Sequence, residues 1–257
     1  MSVRIGEWKR LNDKYIDVLE RQLAVDYDCT VEEVHSDKNI FRILKVNPGA
    51  RPVGNADTFL KVAIYREKLL VMADEKILDW FEKTFGCFNG VWFSEPQNLL
   101  KLHCKLQEFG HKLADAHHYY IPAQNGETTK RRFPVKWYEE KETEVFQGDG
   151  RFGEALLFDD ETPDMLAVCA MEKDVVLGMA GATRDSEQMW QIGVNVTDEG
   201  RGKGVGTYVT SLLKEELLGR GIVPFYATVE SHIKSQKVAI QAGFLPVFYE
   251  IFSEKIR

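Results

Sequence analysis

No stretch of this chain is apolar for long enough to cross a bilayer, and the opening residues, Met1 to Arg10, contain no apolar core of signal-peptide length. A soluble, cytoplasmic protein that does not bind membranes is therefore expected. Cysteine is scarce: Cys29, Cys87, Cys104 and Cys169 are scattered without a C-x-x-C pair, the usage of reduced intracellular thiols rather than of a disulfide framework. Positive charge is not in excess either. The formal net charge of −7 argues against a general nucleic-acid binder, which uses surplus Lys and Arg to displace counterions from phosphate. A cationic small substrate such as an amine is better received. The histidines and cysteine between His103 and His118 show no recurrent ligand spacing, and adjacent pairs split to opposite faces of a strand, so no metal is expected.

What remains is ordinary globular material. With 257 residues, 44% apolar and 28% charged, the chain is long enough for two lobes, each with its own core. Tyr15, Ile16, Leu19 and Leu23 fall on one stripe, which predicts an amphipathic helix over 12–27. Ile40 to Val46 reads as extended, and residues 59–72 read as two strands around a charged turn at Arg66-Glu67-Lys68. Asp74 is the expected N-cap of a helix closed by Gly86. Ser94-Glu-Pro-Gln97 combines a capping box with a first-turn proline and announces another, ending at Gly110. Leu113 to Ile121 reads as a strand. The polar segment 124–132 is the expected link between an N-terminal α/β lobe, 1–123, and a C-terminal domain, 133–257.

In the second domain, 133–138 predicts a strand and the charged stretch to Asp160 is helical or irregular. Met165–Met171 and Val175–Ala182 predict an antiparallel hairpin around Glu172-Lys-Asp174. Between Met189 and Val196, apolar Trp190, Ile192, Val194 and Val196 alternate with Gln191, Gly193 and Asn195, which predicts a strand with one apolar face. Next comes Arg201-Gly-Lys-Gly204-Val-Gly206-Thr207. A helix follows, with Val205, Tyr208, Val209, Leu212, Leu213 and Leu217 at helical spacing. Strand, glycine loop and helix in that order make an anion site: the first turn has unpaired N–H groups, and glycines let a pyrophosphate approach the backbone. Spacing separates the candidate phosphate loops. A Walker loop requires a second glycine five places on, where Val205 or Thr207 stands, and a dinucleotide fingerprint requires a third glycine at Thr207. Arg201, Gly204 and Gly206 fit R-x-x-G-x-G.

That pattern, followed by a strand at 222–229 and by the segment His232 to Gly243-Phe244, resembles the GNAT (N-acetyltransferase) superfamily. The resemblance covers about 133–257, is clear from Asp164 onward, and extends in layout to a bacterial GNAT family with an extra N-terminal lobe. It implies a mixed, largely antiparallel α/β (α+β) sheet flanked by helices and an acyltransferase that moves acetyl from acetyl-CoA (coenzyme A) to an amine of a small molecule or protein. It assigns Val194, Asn195, Val196, Arg201, Gly202, Lys203, Gly204, Val205, Gly206, Thr207 and His232 to the cofactor, with pantetheine along the strand backbone and an N–H near Val194 polarising the thioester carbonyl.

The acid and base depart from the family pattern. Where many members carry a tyrosine four residues before the closing glycine, Ala239 stands, and the strand 189–196 has no carboxylate. Ser235 and His232 are the catalytic candidates; Tyr226, Tyr249, Asp185, Glu187 and Glu230 lie near in sequence. Plainer readings stand beside these: the glycines as a helix cap, Arg201 and Lys203 as solvated charges, Ser235 as structural and Cys169 as core. A coenzyme A-binding module without turnover and a nucleotide-dependent enzyme are the alternative functions. The helix ending in Phe109-Gly110 resembles Gly243-Phe244 faintly, so the N-terminal lobe also reads as a degenerate duplicate. The acceptor and the oligomeric state are not encoded legibly.

Overall fold

The computed structural model describes residues 11–52, 58–124, 130 and 132–257. The predicted signal-free N-terminus and most of the polar link at 124–132 lie outside them. The chain divides into two compact units, and the first consists of Leu19–Tyr119, Val229–Ser231 and Val247–Arg257. The second takes residues 11–18, the described part of Tyr120–Thr228, and His232–Pro246.

In chain order the elements begin with α1 (Asp13–Asp26), α2 (Val31–His35), β1 (Ile40–Ile43), β2 (Leu60–Tyr65), β3 (Lys68–Ala73), α3 (Glu75–Phe85), α4 (Pro96–Gln107) and β4 (His111–Pro122). Leu19 and Leu23 of the α1 stripe are fully buried. The β2–β3 turn is tighter than the sequence suggests. Arg66 and Glu67 both have positive φ, 49° and 66°, the conformation that matches strand twist in a two-residue hairpin, while Lys68 already belongs to β3. Lys68 is buried with its Nζ donating to the carbonyls of Glu33 and Ser36 at 2.6 Å each. Asp74 caps α3 by accepting from the Lys76 N–H at 3.0 Å, and Phe81, Phe85 and Phe93 interlock above the strands with ring centroids 5.0 to 5.8 Å apart.

The capping box expected at Ser94 does not form. The N-cap of α4 is Glu95, so its N3 position is Asn98 rather than Gln97, and Asn98 is drawn away to donate to the Trp92 carbonyl at 2.8 Å. Below this unit's strands, Asp26, Arg51 and Glu250 form a buried ion cluster: Asp26 accepts from the Arg51 backbone N–H at 2.8 Å and from its Nε at 2.7 Å. Tyr27 donates to Glu250 at 2.6 Å.

The second unit contains β5 (Val135–Glu139), β6 (Asp164–Glu172), β7 (Val175–Arg184), β8 (Met189–Val196), α5 (Val205–Gly219), β9 (Val223–Val229, through Thr228), α6 (Ile233–Gln241) and the start of β10 (Phe244–Lys255). Its strands run in the order β9-β8-β7-β6-β5; every pair is antiparallel except β8–β9. The predicted β6–β7 hairpin is present, turning at Lys173 with φ of 54°. Two cores cover its two faces. Ile192, Val205, Val209, Leu213, Leu217, Tyr226 and Phe244 pack with α5 and α6 on one face. On the other, Tyr138 of β5, Phe146 and Phe152 of two short 3-10 helices at Glu140–Phe146 and Gly150–Phe152, and Leu156 beyond them cover Ala167, Cys169 and Met179. No helix among the described residues is long and apolar enough to cross a membrane.

Candidate active site

Strand β8 stays with β7 from Trp190 to its end but leaves β9 early. Its register with β7 runs to Gly178↔Val196, whereas the parallel register with β9 ends at Ile192↔Tyr226. From Gly193 onward one edge of β8 has no β9 partner. Side by side in an antiparallel pair, backbone groups alternate between facing the partner and facing away. The Thr197 N–H donates to the Leu177 carbonyl at 3.0 Å, on the β7 side, so Asn195 and Gly193 also face β7 while Val194 and Val196 turn their N–H and carbonyl groups to the vacated edge.

That edge leads into the glycine loop. A 3-10 turn at Asp198–Gly200 is followed by Gly202 and Gly204, with φ of 74° and 75°, a left-handed conformation that other residues adopt only with strain. Gly204 is the N-cap of α5 and supplies no side-chain cap, and the helix opens with the Tyr208 N–H donating to the Gly204 carbonyl at 3.1 Å. The N–H groups of Val205, Gly206 and Thr207 precede it and have no acceptor within the helix. Gly206 serves packing: a Cβ there would stand 3.1 Å from Val196 and 3.4 Å from Val238, so α5 sits directly on the end of β8 and on α6.

Charge gathers at this turn from an unexpected quarter. The Arg132 guanidinium lies 2.8 Å from where a Gly204 Cβ would be. Arg201 is exposed and paired with Asp198 at 2.6 Å, and Lys203 reaches Glu172 at 3.4 Å. Solvent screens both pairs heavily. Thr207 bonds Gln241 of α6 through its hydroxyl at 3.1 Å. Coenzyme A, which the family implies, is matched by these features: a helix start without a side-chain cap beside two left-handed glycines, cations near it, and a strand edge that β9 has left.

The two catalytic candidates separate. Ser235, on the first turn of α6, has its Oγ 2.8 Å from the Tyr226 hydroxyl on β9, the strand that leaves β8. Burial pushes the Tyr226 phenol above its ordinary pKa; the Ser235 hydrogen bond opposes this, and the Glu154 carboxylate and Tyr120 add to it. His232 is the exposed N-cap of α6 and makes no side-chain cap bond. Asp185 is occupied by the Thr183 hydroxyl at 2.7 Å and the Gln191 N–H at 3.3 Å. Glu230 and Tyr249 belong to the other unit. Cys169 is fully buried and its thiol is pushed up to about 12 by that burial, which keeps it a packing residue and not a nucleophile.

Two residues, Glu154 beside the split and Arg132 beside the glycine turn, were not singled out for this site in the sequence. Glu154 arrives from the segment before β6. Its carbonyl oxygen lies against the backbone of β8 so closely that a Cβ on Gly193 would overlap it, and the Ala155 carbonyl blocks a Cβ on Gly181 likewise. Asn195 fixes the same segment, its Oδ1 accepting from the N–H groups of Glu154 at 2.9 Å and Ala155 at 2.8 Å. The signal that was available is glycine inside a strand, at Gly181 and Gly193, which marks close approach of another backbone. Arg132 had only its basic neighbourhood to announce it.

Strand, glycine turn and helix with a split beside them are the parts of this mixed α/β domain that an extended anionic ligand would fit. Residues 126–244 match the model of the acetyltransferase (GNAT) family, and this part of the chain is a GNAT-family acetyltransferase domain. None of the curated proteins compared with the chain matches it. Among solved structures, a GCN5-related N-acetyltransferase-like protein from Streptococcus suis is similar at 13% identity, covering 95% of this chain and 99% of that one, with a TM-score of 0.49. A GCN5-related N-acetyltransferase from Sphaerobacter thermophilus is similar at 14% identity, over 96% and 97%, with a TM-score of 0.49. An aminoglycoside N-acetyltransferase in complex with CoA is similar at 21% identity over 44% of this chain and 92% of its own, with a TM-score of 0.33.

Proposed function

We propose that this domain transfers an acetyl group from acetyl-coenzyme A to an amine of a small molecule or protein. The observation that carries the reading is the continuity of the vacated β8 edge with the uncapped first turn of α5. Residues Val205, Gly206 and Thr207 offer N–H groups to a diphosphate, with Arg132, Arg201 and Lys203 beside them. Val194 and Val196 offer backbone groups to an amide-containing arm, and the Val194 N–H is the donor suited to a carbonyl oxygen in which charge develops. When bound, acetyl-coenzyme A supplies an activated acyl carbon and a thiol leaving group.

The chain's own part is to orient and to manage protons. Tyr226 holds a phenolic proton that burial keeps in place through neutral pH, and Ser235 orients it. This pair takes the role for which Ala239 is unsuited. The chain's net charge of −7 favours a cationic acceptor over an anionic one. Calorimetric titration with acetyl-coenzyme A, on the wild type and on Gly204→Glu, tests the cofactor assignment: binding that the glutamate abolishes is expected, and binding unchanged by it removes the assignment. Thiol release with a panel of amines tests the transfer. A second reading, a coenzyme A-binding regulatory module, is favoured by Ala239 and by the lack of a carboxylate on β8; tight binding without thiol release from any amine is its signature.

A further inference from the structure

We propose that Glu154, held by Asn195 against Gly193, is the carboxylate that receives the acceptor's ammonium group and takes its proton. The inference rests on the acetyl-transfer reading and names the acceptor side of the same site. A primary alkylamine is protonated near neutral pH, and the ammonium has no lone pair with which to attack. Something must accept that proton, and β8 has no carboxylate to do so.

Glu154 meets the requirement by placement. Gly193 is the first residue of β8 beyond its register with β9, so the segment carrying Glu154 crosses β8 where the two strands part. Both backbone N–H groups at that crossing are bound by one side-chain oxygen, Asn195 Oδ1, and the carbonyls of Glu154 and Ala155 fill the space above two glycines. The backbone of Glu154 is thus fixed to the strand while its side chain is exposed. Phe152, Ala155 and Leu156 anchor the flanks in a buried core. The carboxylate is near enough to Tyr226 to act on that phenol electrostatically. An anion here attracts a cation to the split; proton transfer then leaves a neutral glutamic acid and a neutral amine whose lone pair is available. The proton passes on to solvent, which reaches the exposed carboxyl group.

Glu154 touches the acceptor and is a catalytic residue; Asn195 acts through it and is a positioning residue. The expected selectivity follows from charge. Hydroxylamine is neutral near pH 7 and needs no prior deprotonation, whereas an alkylamine such as butylamine does.

The experiment compares wild type, Glu154→Gln and Asn195→Ala with Asn195→Asp, using thiol release from acetyl-coenzyme A with butylamine and with hydroxylamine, and calorimetric affinity for acetyl-coenzyme A. Glu154→Gln is expected to lose about 10²-fold or more with butylamine and less than about 3-fold with hydroxylamine, the cofactor affinity being unchanged. Asn195→Ala should show the same selective loss in milder form, and Asn195→Asp should restore it, since its carboxylate oxygen can accept the same two N–H bonds. Spectrophotometric titration of the tyrosines gives a readout without turnover: removing the Glu154 charge is expected to lower the pH at which Tyr226, identified by its loss in Tyr226→Phe, ionises. Equal losses with both acceptors, no loss with either, or a wild type that binds acetyl-coenzyme A yet releases no thiol overturns the role of Glu154 and leaves the cofactor assignment standing. A wild type that does not bind acetyl-coenzyme A overturns the transfer reading, and the proposal falls with it.

Discussion

The hydroxyls of Tyr226 and Ser235 stand 2.8 Å apart, one on the strand that leaves β8 and the other on the helix that closes the second unit. A buried phenol bonded to a hydroxyl that can either donate or accept is a proton store with a relay attached. Tyr226→Phe is therefore expected to slow acetyl transfer by about 10²-fold, the usual scale of a positioned acid. Ser235→Ala, which leaves the phenol in place, should cost about 10-fold or less, below the range for a removed acid. Steady-state thiol release, with affinity for acetyl-coenzyme A measured alongside, separates this from a folding effect. Equal rates for wild type and Tyr226→Phe remove the phenol from the chemistry.

Arg132 approaches the Gly204 turn from outside the motif. If it contributes charge to a diphosphate there, Arg132→Ala should weaken acetyl-coenzyme A by about 3- to 10-fold, the equivalent of about 0.7 to 1.4 kcal/mol. The loss should shrink as salt rises, because exposed charges are screened beyond roughly 8 to 10 Å at physiological ionic strength. Calorimetry at low and high salt distinguishes this from a change in packing, which salt leaves alone. Arg201→Ala and Lys203→Ala should each have a smaller effect, since both side chains are solvent-exposed and already paired with carboxylates.

Much of this arrangement was legible beforehand, and the rest had physical reasons to be hidden. The β6–β7 hairpin, β8 and α5 announced themselves because each buries one regular face, and period 2 or 3.6 is the imprint of that burial. The glycine loop before α5 was legible because R-x-x-G-x-G needs only local chain. Residues 140–156 were opaque: they fold as short 3-10 helices, whose three-residue period leaves no lasting stripe, and they are fixed by Asn195, about 40 positions further on. The partnership of Tyr226 and Ser235 was hidden for the same reason, since one is set by a strand and the other by a helix.

Gly193→Ala makes the close approach measurable. The new Cβ would overlap the Glu154 carbonyl oxygen, which is backbone and has no rotamer to escape into. Either the 150–156 segment lifts from β8, breaking both Asn195 bonds, or the strand bends. A loss of about 1–3 kcal/mol is expected, the scale of overpacking, or more if a buried group loses its partner. Urea denaturation reads the loss, and Gly150→Ala, where a Cβ meets open space, is the control expected to change little. Equal midpoints for Gly193→Ala and wild type contradict the packing.

In the first unit the same reasoning applies to buried charge. Asp26 accepts three hydrogen bonds, from the Arg51 N–H and Nε and from Gln22 at 2.8 Å, and both Asp26 and Arg51 are almost wholly buried. Asp26→Ala strips the guanidinium of its principal counterion and should cost about 3–5 kcal/mol. The double variant Asp26→Ala with Arg51→Met should recover part of that loss, because an uncompensated buried charge is removed with its partner. A double variant no more stable than Asp26→Ala contradicts this account of the cluster.

Alkaline pH should weaken the fold through groups that burial holds protonated. Burial is the chief cause that pushes the Cys169 thiol up to about 12 and the Cys29 thiol up to about 11. Below the unfolded value the thiols are protonated in both states and stability is unaffected. Above it the unfolded chain releases its protons while the folded chain retains them, so unfolding is drawn forward until the pH passes the folded values. Denaturation midpoints should therefore be level up to about pH 8 and fall from about pH 9 toward about 12, given an ordinary thiol pKa near 8.5. Cys169→Ala removes the more deeply buried thiol and should flatten part of that fall while costing a fixed amount at neutral pH. A fall of identical slope in the variant would mean that other groups, Tyr27 and Tyr65 foremost because burial also raises their phenols, govern the alkaline limb.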